Sequence, residues 1–206
     1  MSGAFPISSA KFETLGIKSI QTTIISKSDS GKRLARQIDG QRWGFTASII
    51  TSTRSSVYGE LMAFIIKQRS GKETFTIIPP EIEDARGNET GTILVDGVHA
   101  VGDTTIDLDG FAGDGAGRFL AGDFISFNSH SKVYMIVADV TSSSNAATVT
   151  IEPPLTTALA NNGAVTYDNV PFTVYLTSDI QEFGSSGTDK DGNLLYKYEL
   201  DVEEAL

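Results

Sequence analysis

The sequence predicts a mainly β protein in which a small β-barrel is inserted into a discontinuous β-sandwich that carries one helix. Residues 17–26 and 43–52 are rich in β-branched and aromatic side chains with partial alternation, as in half-buried strands. Between residues 92 and 167, six short apolar runs are separated by Gly, Asn and Asp, a spacing typical of a small barrel or sandwich. Residues 170–176 and 194–202 then return to longer β runs.

The order of these segments predicts a discontinuous outer domain. The first part of the chain offers three strands and a helix, and the last part offers two strands without a core of their own, so neither buries a sheet face alone. We therefore expect residues 1–88 and 169–206 to form one domain by pairing across the insertion. Residues 89–168 form the inserted barrel.

One amphipathic helix is predicted after the second strand. Ser55 or Ser56 can cap its N-terminus, and Gly71 predicts an end near Ser70. The apolar residues that recur at steps of three and four are Tyr58, Leu61, Met62, Ile65 and Ile66. A short strand over residues 73–78 follows, and Pro79 and Pro80 end it.

Two glycine-containing segments are interpreted as connections. Asp39-Gly40 is a turn dipeptide between the first two predicted strands, and the basic run 32–36 lies just before it. Residues 184–187 (GSSG) lack the spacing of a nucleophile turn and are interpreted as a flexible loop.

Composition excludes several function classes. The chain has 206 residues, no cysteine and a net charge of −10, which argues against disulfide frameworks, thiol chemistry and phosphate-tracking nucleic-acid binding. No apolar run approaches the roughly 20 residues that span a bilayer. Residues 1–12 lack the apolar core of a signal peptide, so we expect synthesis in a cytoplasm.

No catalytic, metal or cofactor site is expected. His99 and His130 are the only histidines, no cysteine can complete a zinc site, and both are interpreted as surface residues. The runs that begin at Asp107 and Asp189 start like calcium loops but lack the glycine at the sixth position, so we interpret both as hairpin turns.

The charge is divided unevenly along the chain. The first 80 residues hold 11 basic and 5 acidic side chains, whereas the remaining 126 residues have a net charge of −16. Such a division suits a head-to-tail assembly, and it also fits solvated faces that simply differ in sign. Trp43 can likewise fill a core or anchor a subunit contact. The candidate subunit-interface residues are Lys32, Arg33, Arg36, Arg42, Trp43, Glu203 and Glu204.

The arrangement resembles siphophage distal tail proteins. The resemblance rests on the Gln41-Arg42-Trp43 strand, the helix and residues 74–79, on the barrel segments 121–127 and 132–137, and on the return at residues 170–174. It implies a tail-tube-like outer domain with an inserted OB-like barrel, six copies in a ring at the end of the tail tube, and no enzymatic activity. The implied location is the virion.

The resemblance also implies partners, and it leaves alternatives open. The implied partners are sister copies in a homo-hexamer, the tail tube protein, the tail tip or baseplate hub proteins, and a host surface glycan bound by the barrel. Another tail component, namely a tube subunit, a terminator or a minor host-binding protein, would share the outer domain. A carbohydrate-binding module is a separate alternative, for which Phe127 and Tyr134 are the candidate aromatic residues.

Overall fold

The structure is a computed structural model, and it describes residues 2–7, 11–38 and 40–206. The predicted turn residue Asp39 lies outside the described residues. The protein is mainly β, as predicted. The strands are β1 (Phe12–Ile20), β2 (Thr23–Lys27), β3 (Arg33–Gln37), β4 (Arg42–Thr53), β5 (Phe75–Ile77), β6 (Leu94–Val95), β7 (Thr105–Asp109), β8 (Gly115–Ala116), β9 (Phe124–Phe127), β10 (Val133–Ile136), β11 (Thr141–Ser142), β12 (Ala146–Glu152), β13 (Val165–Thr166), β14 (Phe172–Leu176), β15 (Gly184–Thr188) and β16 (Leu194–Glu204).

The larger sheet is built from both ends of the chain. Its strand order is β1-β4-β16-β14-β5, with β15 also paired to β16, and every pairing is antiparallel. The central pair runs from Leu195 opposite Thr53 to Glu203 opposite Gly44. Strands on either side of the middle segment therefore complete a single sheet.

The middle segment forms the predicted small barrel. Its strand order is β13-β9-β10-β12-β7-β6. The two ends of this order meet, because the Val95 N–H donates to the Gly163 carbonyl at 2.9 Å and the Val165 N–H donates to the Ile93 carbonyl at 3.1 Å. Seventeen buried side chains, all from residues 93–167, fill the interior.

The helix covers the core face of the larger sheet. Helix α1 (Gly59–Lys67) is preceded by a π-helical turn over Arg54–Tyr58. The capping prediction was wrong, since Thr53 precedes the helical turn without a side-chain cap and Ser55 and Ser56 lie within it. Leu61 and Ile65 are fully buried against the sheet.

The core of the sheet continues into the barrel without a break. Phe124 and Val133, from β9 and β10, belong to the same buried cluster as Phe172 and Trp43. The Trp43 and Phe124 rings meet edge to face, with centroids 5.2 Å apart. Apolar packing therefore fixes the barrel on the sheet.

The first predicted strand is in fact two. Residues 17–26 fall in β1 and β2, which are separated by Gln21 and Thr22. The basic run joins the turn and β3, which pairs with β2 from Thr23 opposite Gln37 to Lys27 opposite Arg33. The loop interpretation of residues 184–187 was also wrong, because β15 pairs with β16 there. None of these strands contains a buried side chain, so the partial alternation in the sequence does not mark where each strand begins and ends.

Candidate assembly surface

The hairpin formed by β2 and β3, here the exposed hairpin, is solvent-accessible on both faces. Every residue of both strands is exposed, and the two strands pair only with each other. A two-stranded hairpin with no packing partner is marginally stable at best in water. Within the described part of the chain, these two strands pair with no third strand.

One face of the exposed hairpin carries three large apolar side chains beside Arg36. Ile24 lies opposite Arg36 and Ser26 lies opposite Leu34, and the Ile38 N–H donates to the Thr22 carbonyl just beyond the pairing. Since side chains alternate along a strand, Ile24, Leu34 and Ile38 project on the same side. Their exposed fractions are 57%, 53% and 56%. The sequence interpretation missed this cluster, which only the pairing register reveals.

The exposed hairpin is also basic. Residues 22–38 contain four cations, Lys27, Lys32, Arg33 and Arg36, against the single carboxylate of Asp29. The predicted interface residues Lys32, Arg33 and Arg36 are thus together on one projecting element. All three are exposed.

Strand β1 offers an open edge next to the hairpin. It pairs with β4 on one side, with a bulge between Phe12 and Thr14, and with no described strand on the other. The opposite margin of the sheet differs, because the N-terminal residues cover β5. There the Phe5 N–H donates to the Thr76 carbonyl at 2.7 Å, and the Thr76 N–H donates to the Gly3 carbonyl at 3.0 Å. An open edge of this length is a template for pairing with another chain.

The outward face of the sheet is polar. Alternation along β16 buries Tyr198, Leu200 and Val202 and exposes Lys197, Glu199 and Asp201. The Lys18 ammonium donates to Asp201 at 2.9 Å, and the hydroxyl groups of Thr46 and Thr177 donate to the same carboxylate. Partial burial raises the pKa of Asp201, but these hydrogen bonds outweigh it and leave the pKa below its ordinary value.

A depression of about 410 Å³ lies on this outward face. Three carboxylates, Glu182, Glu199 and Asp201, line it, and Lys197 is the one cation among its lining residues. Ile180 forms part of its wall and is 81% exposed. We call this feature the acidic depression.

Two of the predicted interface residues are buried inside the chain. The Glu204 carboxylate is fully buried and accepts hydrogen bonds from the Lys132 ammonium and from the backbone N–H groups of Trp43 (3.1 Å) and Val133 (2.8 Å). The Trp43 indole N–H donates to the Val133 carbonyl at 2.9 Å. In this structure Trp43 and Glu204 therefore join the barrel to the sheet and have no surface to offer a second copy.

Burial dominates the titration of this ion pair. It lowers the pKa of Lys132 and raises the pKa of Glu204, while the charge of each partner opposes the shift of the other. Lys132 also donates to the Gln41 side-chain oxygen at 2.8 Å. A buried ion pair with its hydrogen bonds satisfied fixes a single relative placement of the elements it joins.

The remaining two predicted residues meet around one tyrosine. The Tyr175 hydroxyl donates to the Glu203 carboxylate at 2.9 Å, and the Arg42 side chain hydrogen-bonds to the same tyrosine. Both Arg42 and Glu203 are half-buried. The seven predicted residues are thus split between the exposed hairpin, the buried junction and this cluster.

The histidines do not lie free on the surface. His99 is buried, and its Nε2 accepts the Asp107 N–H at 3.2 Å. His130 is half-buried between Ser129 and the Tyr134 hydroxyl. Burial first, and the Lys132 charge second, lower the pKa of His130. The surface interpretation was wrong for His99 and incomplete for His130.

The turn that begins at Asp189 is a hairpin turn, as predicted. Its Oδ1 accepts the N–H groups of Asp191 (2.8 Å) and Asn193 (2.9 Å), and it connects β15 to β16. Within the described ranges, no group of three or more histidine, aspartate or glutamate side chains is placed to hold a metal ion. None of the helices described here is long and apolar enough to span a membrane.

The barrel presents no aromatic surface. The six aromatic side chains between residues 89 and 168 are all buried, and the two candidates for sugar stacking, Phe127 and Tyr134, are among them. The core interpretation of these two residues is therefore confirmed. Sugar stacking on them would require the barrel to open.

No family model matches the chain, and no curated protein shows significant similarity to it.

Proposed function

We propose that this chain is a structural phage tail protein. Six copies form a ring at the distal end of the tail tube, and the ring is a hub that links the tube protein to the tip and host-recognition proteins of the virion. The supporting observation is the open β1 edge that continues into the exposed hairpin. Both features leave hydrogen-bonding groups and apolar side chains for another chain to cover.

The construction of the larger sheet supports a ring wall. The sheet has an apolar face covered by the helix and the barrel, and an outward face that is polar and carries the carboxylates of Glu199 and Asp201 beside the ammonium groups of Lys18 and Lys197. In the proposed ring the part of the outward face that lies outside the acidic depression lines the lumen. Because DNA is a dense polyanion, carboxylates there keep the genome from adhering during passage.

The inserted barrel is proposed to project rigidly from the outer side of the ring, away from the lumen. Its β9 and β10 strands share the core of the sheet, and the ion pair of Lys132 and Glu204 joins the two parts. A barrel held in this way presents its loops to neighbouring tail proteins in a fixed direction.

Oligomeric state tests the proposal first. We expect the purified chain to form hexamers in native mass spectrometry and light scattering. Ile17→Lys places a charge on the open β1 edge and is expected to reduce assembly at least about tenfold. Val98→Lys, in an exposed barrel loop, is the matched control and should assemble as the wild type does. A wild-type chain that stays monomeric at high concentration would exclude the ring.

The location of this chain in the phage particle tests its proposed place at the distal end of the tail. Immunogold labelling of phage particles with an antibody against this chain should mark the distal end of the tail. Labelling along the tube would indicate a tube subunit, and labelling at the head-proximal end would indicate a terminator. Absence from the particle would rule out a tail protein.

A further inference from the structure

We infer that the exposed hairpin of one copy docks in the acidic depression of a neighbouring copy. The inference rests on the proposed ring and names the contact that closes it. It is supported by the chemistry of two surfaces that are separate on the same chain.

The two surfaces match in charge. The exposed hairpin carries Lys27, Lys32, Arg33 and Arg36 against Asp29. The acidic depression is lined by the carboxylates of Glu182, Glu199 and Asp201 against the single ammonium of Lys197, which lies 3.6 Å from Glu199. Opposite potentials on facing surfaces steer association and fix its register.

Both surfaces also expose large apolar side chains. Ile24, Leu34 and Ile38 lie beside Arg36 on one side of the hairpin, and Ile180 is the most exposed large apolar residue among those described. Docking would remove both from water, which favours association by the hydrophobic effect. The two strands pair with no other described strand, and an isolated two-stranded element is marginally stable in water.

The charges disfavour the symmetric alternative. Two hairpins packed against each other across a two-fold axis would bring eight cations together against two carboxylates. Like charges placed opposite one another in an interface are strongly unfavourable. A hairpin that instead enters the depression makes a heterologous contact, and such contacts close into rings when the rotation between copies permits.

Charge exchange between two variants tests the contact. In the first variant, Arg33→Glu and Arg36→Glu make the hairpin acidic. In the second, Glu182→Lys and Glu199→Lys make the depression basic. Each variant alone faces like charge at every contact, so we expect its assembly to be weakened about 100-fold. An equimolar mixture should assemble into rings in which the two variants alternate, because both types of contact are then complementary.

Controls separate this inference from the proposed function. Arg54→Glu with Lys190→Glu makes the same change of charge as the first variant, at exposed positions outside both surfaces, and should assemble as the wild type does. Circular dichroism and urea midpoints verify that each variant is folded. If the wild type assembles and both variants assemble equally well, or the mixture fails to recover, the hairpin contact is wrong and the ring stands. A monomeric wild type would overturn both.

Discussion

Lys132 and Glu204 form a buried ion pair across the junction between the barrel and the sheet. Lys132 immediately precedes the barrel strand β10, and Glu204 ends the last strand of the sheet. Two backbone N–H groups and the Gln41 side chain complete the hydrogen bonding of the pair. Residues far apart in sequence therefore determine how the inserted segment sits on the domain that surrounds it.

Removing the lysine should destabilise the protein strongly. Lys132→Met leaves the Glu204 carboxylate buried without its counter-charge, and we expect a loss of about 3–5 kcal/mol in the free energy of unfolding. Lys132→Met with Glu204→Gln should recover part of that loss, because the uncharged amide still accepts a backbone N–H. Urea unfolding measures both. Lys190→Met, which breaks only the exposed pair with Asp191, should cost less than about 1 kcal/mol.

The barrel and the sheet should unfold as one unit. Trp43 is the only tryptophan, and it lies at the junction between them, so its fluorescence reports on their separation. We expect the fluorescence transition in urea to coincide with the far-ultraviolet circular dichroism transition. Two separate transitions would mean that the junction does not couple the two parts. Trp43→Phe, which leaves the Val133 carbonyl unpaired, should lower stability by about 1–3 kcal/mol.

Stability should fall above about pH 10. Burial raises the pKa of Tyr198 far above its ordinary value, and burial also raises the pKa of Tyr58 and of Tyr134. Because the pKa is higher in the folded state, the free energy of unfolding keeps its full value below the unfolded-state pKa of 10.0. It then falls as the pH rises through the folded-state pKa. Each tyrosine that ionises only in the unfolded chain contributes about 1.4 kcal/mol per pH unit.

Urea midpoints between about pH 8 and pH 11 measure this dependence. Tyr198→Phe should make the decline shallower, since one ionising group is removed from the unfolded chain. Its hydroxyl partner Gln181 is half-buried and can reach water instead. A decline that is equally steep in the variant would contradict the assignment to Tyr198.

Gly87 should not tolerate a side chain. A Cβ at this position would lie 1.9 Å from the Arg118 carbonyl oxygen, so the two backbone segments would have to separate. We expect Gly87→Ala to destabilise the protein by at least about 1–3 kcal/mol, measured as a shift of the thermal or urea midpoint. Gly184→Ala is the matched control, because its Cβ would meet nothing within 4 Å and its φ is ordinary. Equal effects of the two substitutions would show that crowding at Gly87 is not the cause.

Prediction from the sequence succeeded where side chains alternate between core and solvent. Strand β16 buries Tyr198, Leu200 and Val202 in alternation with charged residues, and its pattern was evident in the sequence. The exposed hairpin was not predicted from the sequence, because its side chains do not alternate between core and solvent. Ile24, Leu34 and Ile38 have no buried neighbours, so their shared face follows only from the register of pairing.

The sequence by itself determined a mainly β chain, a run of short strands that closes into a barrel, one helix, and an uneven division of charge. These properties follow from local composition and from alternation, which each segment carries alone. The tertiary structure decided that Trp43 and Glu204 are buried at a junction and that the cations of residues 27–36 lie on an exposed hairpin. Burial and surface neighbours depend on which distant strands pair, and no single segment contains that information.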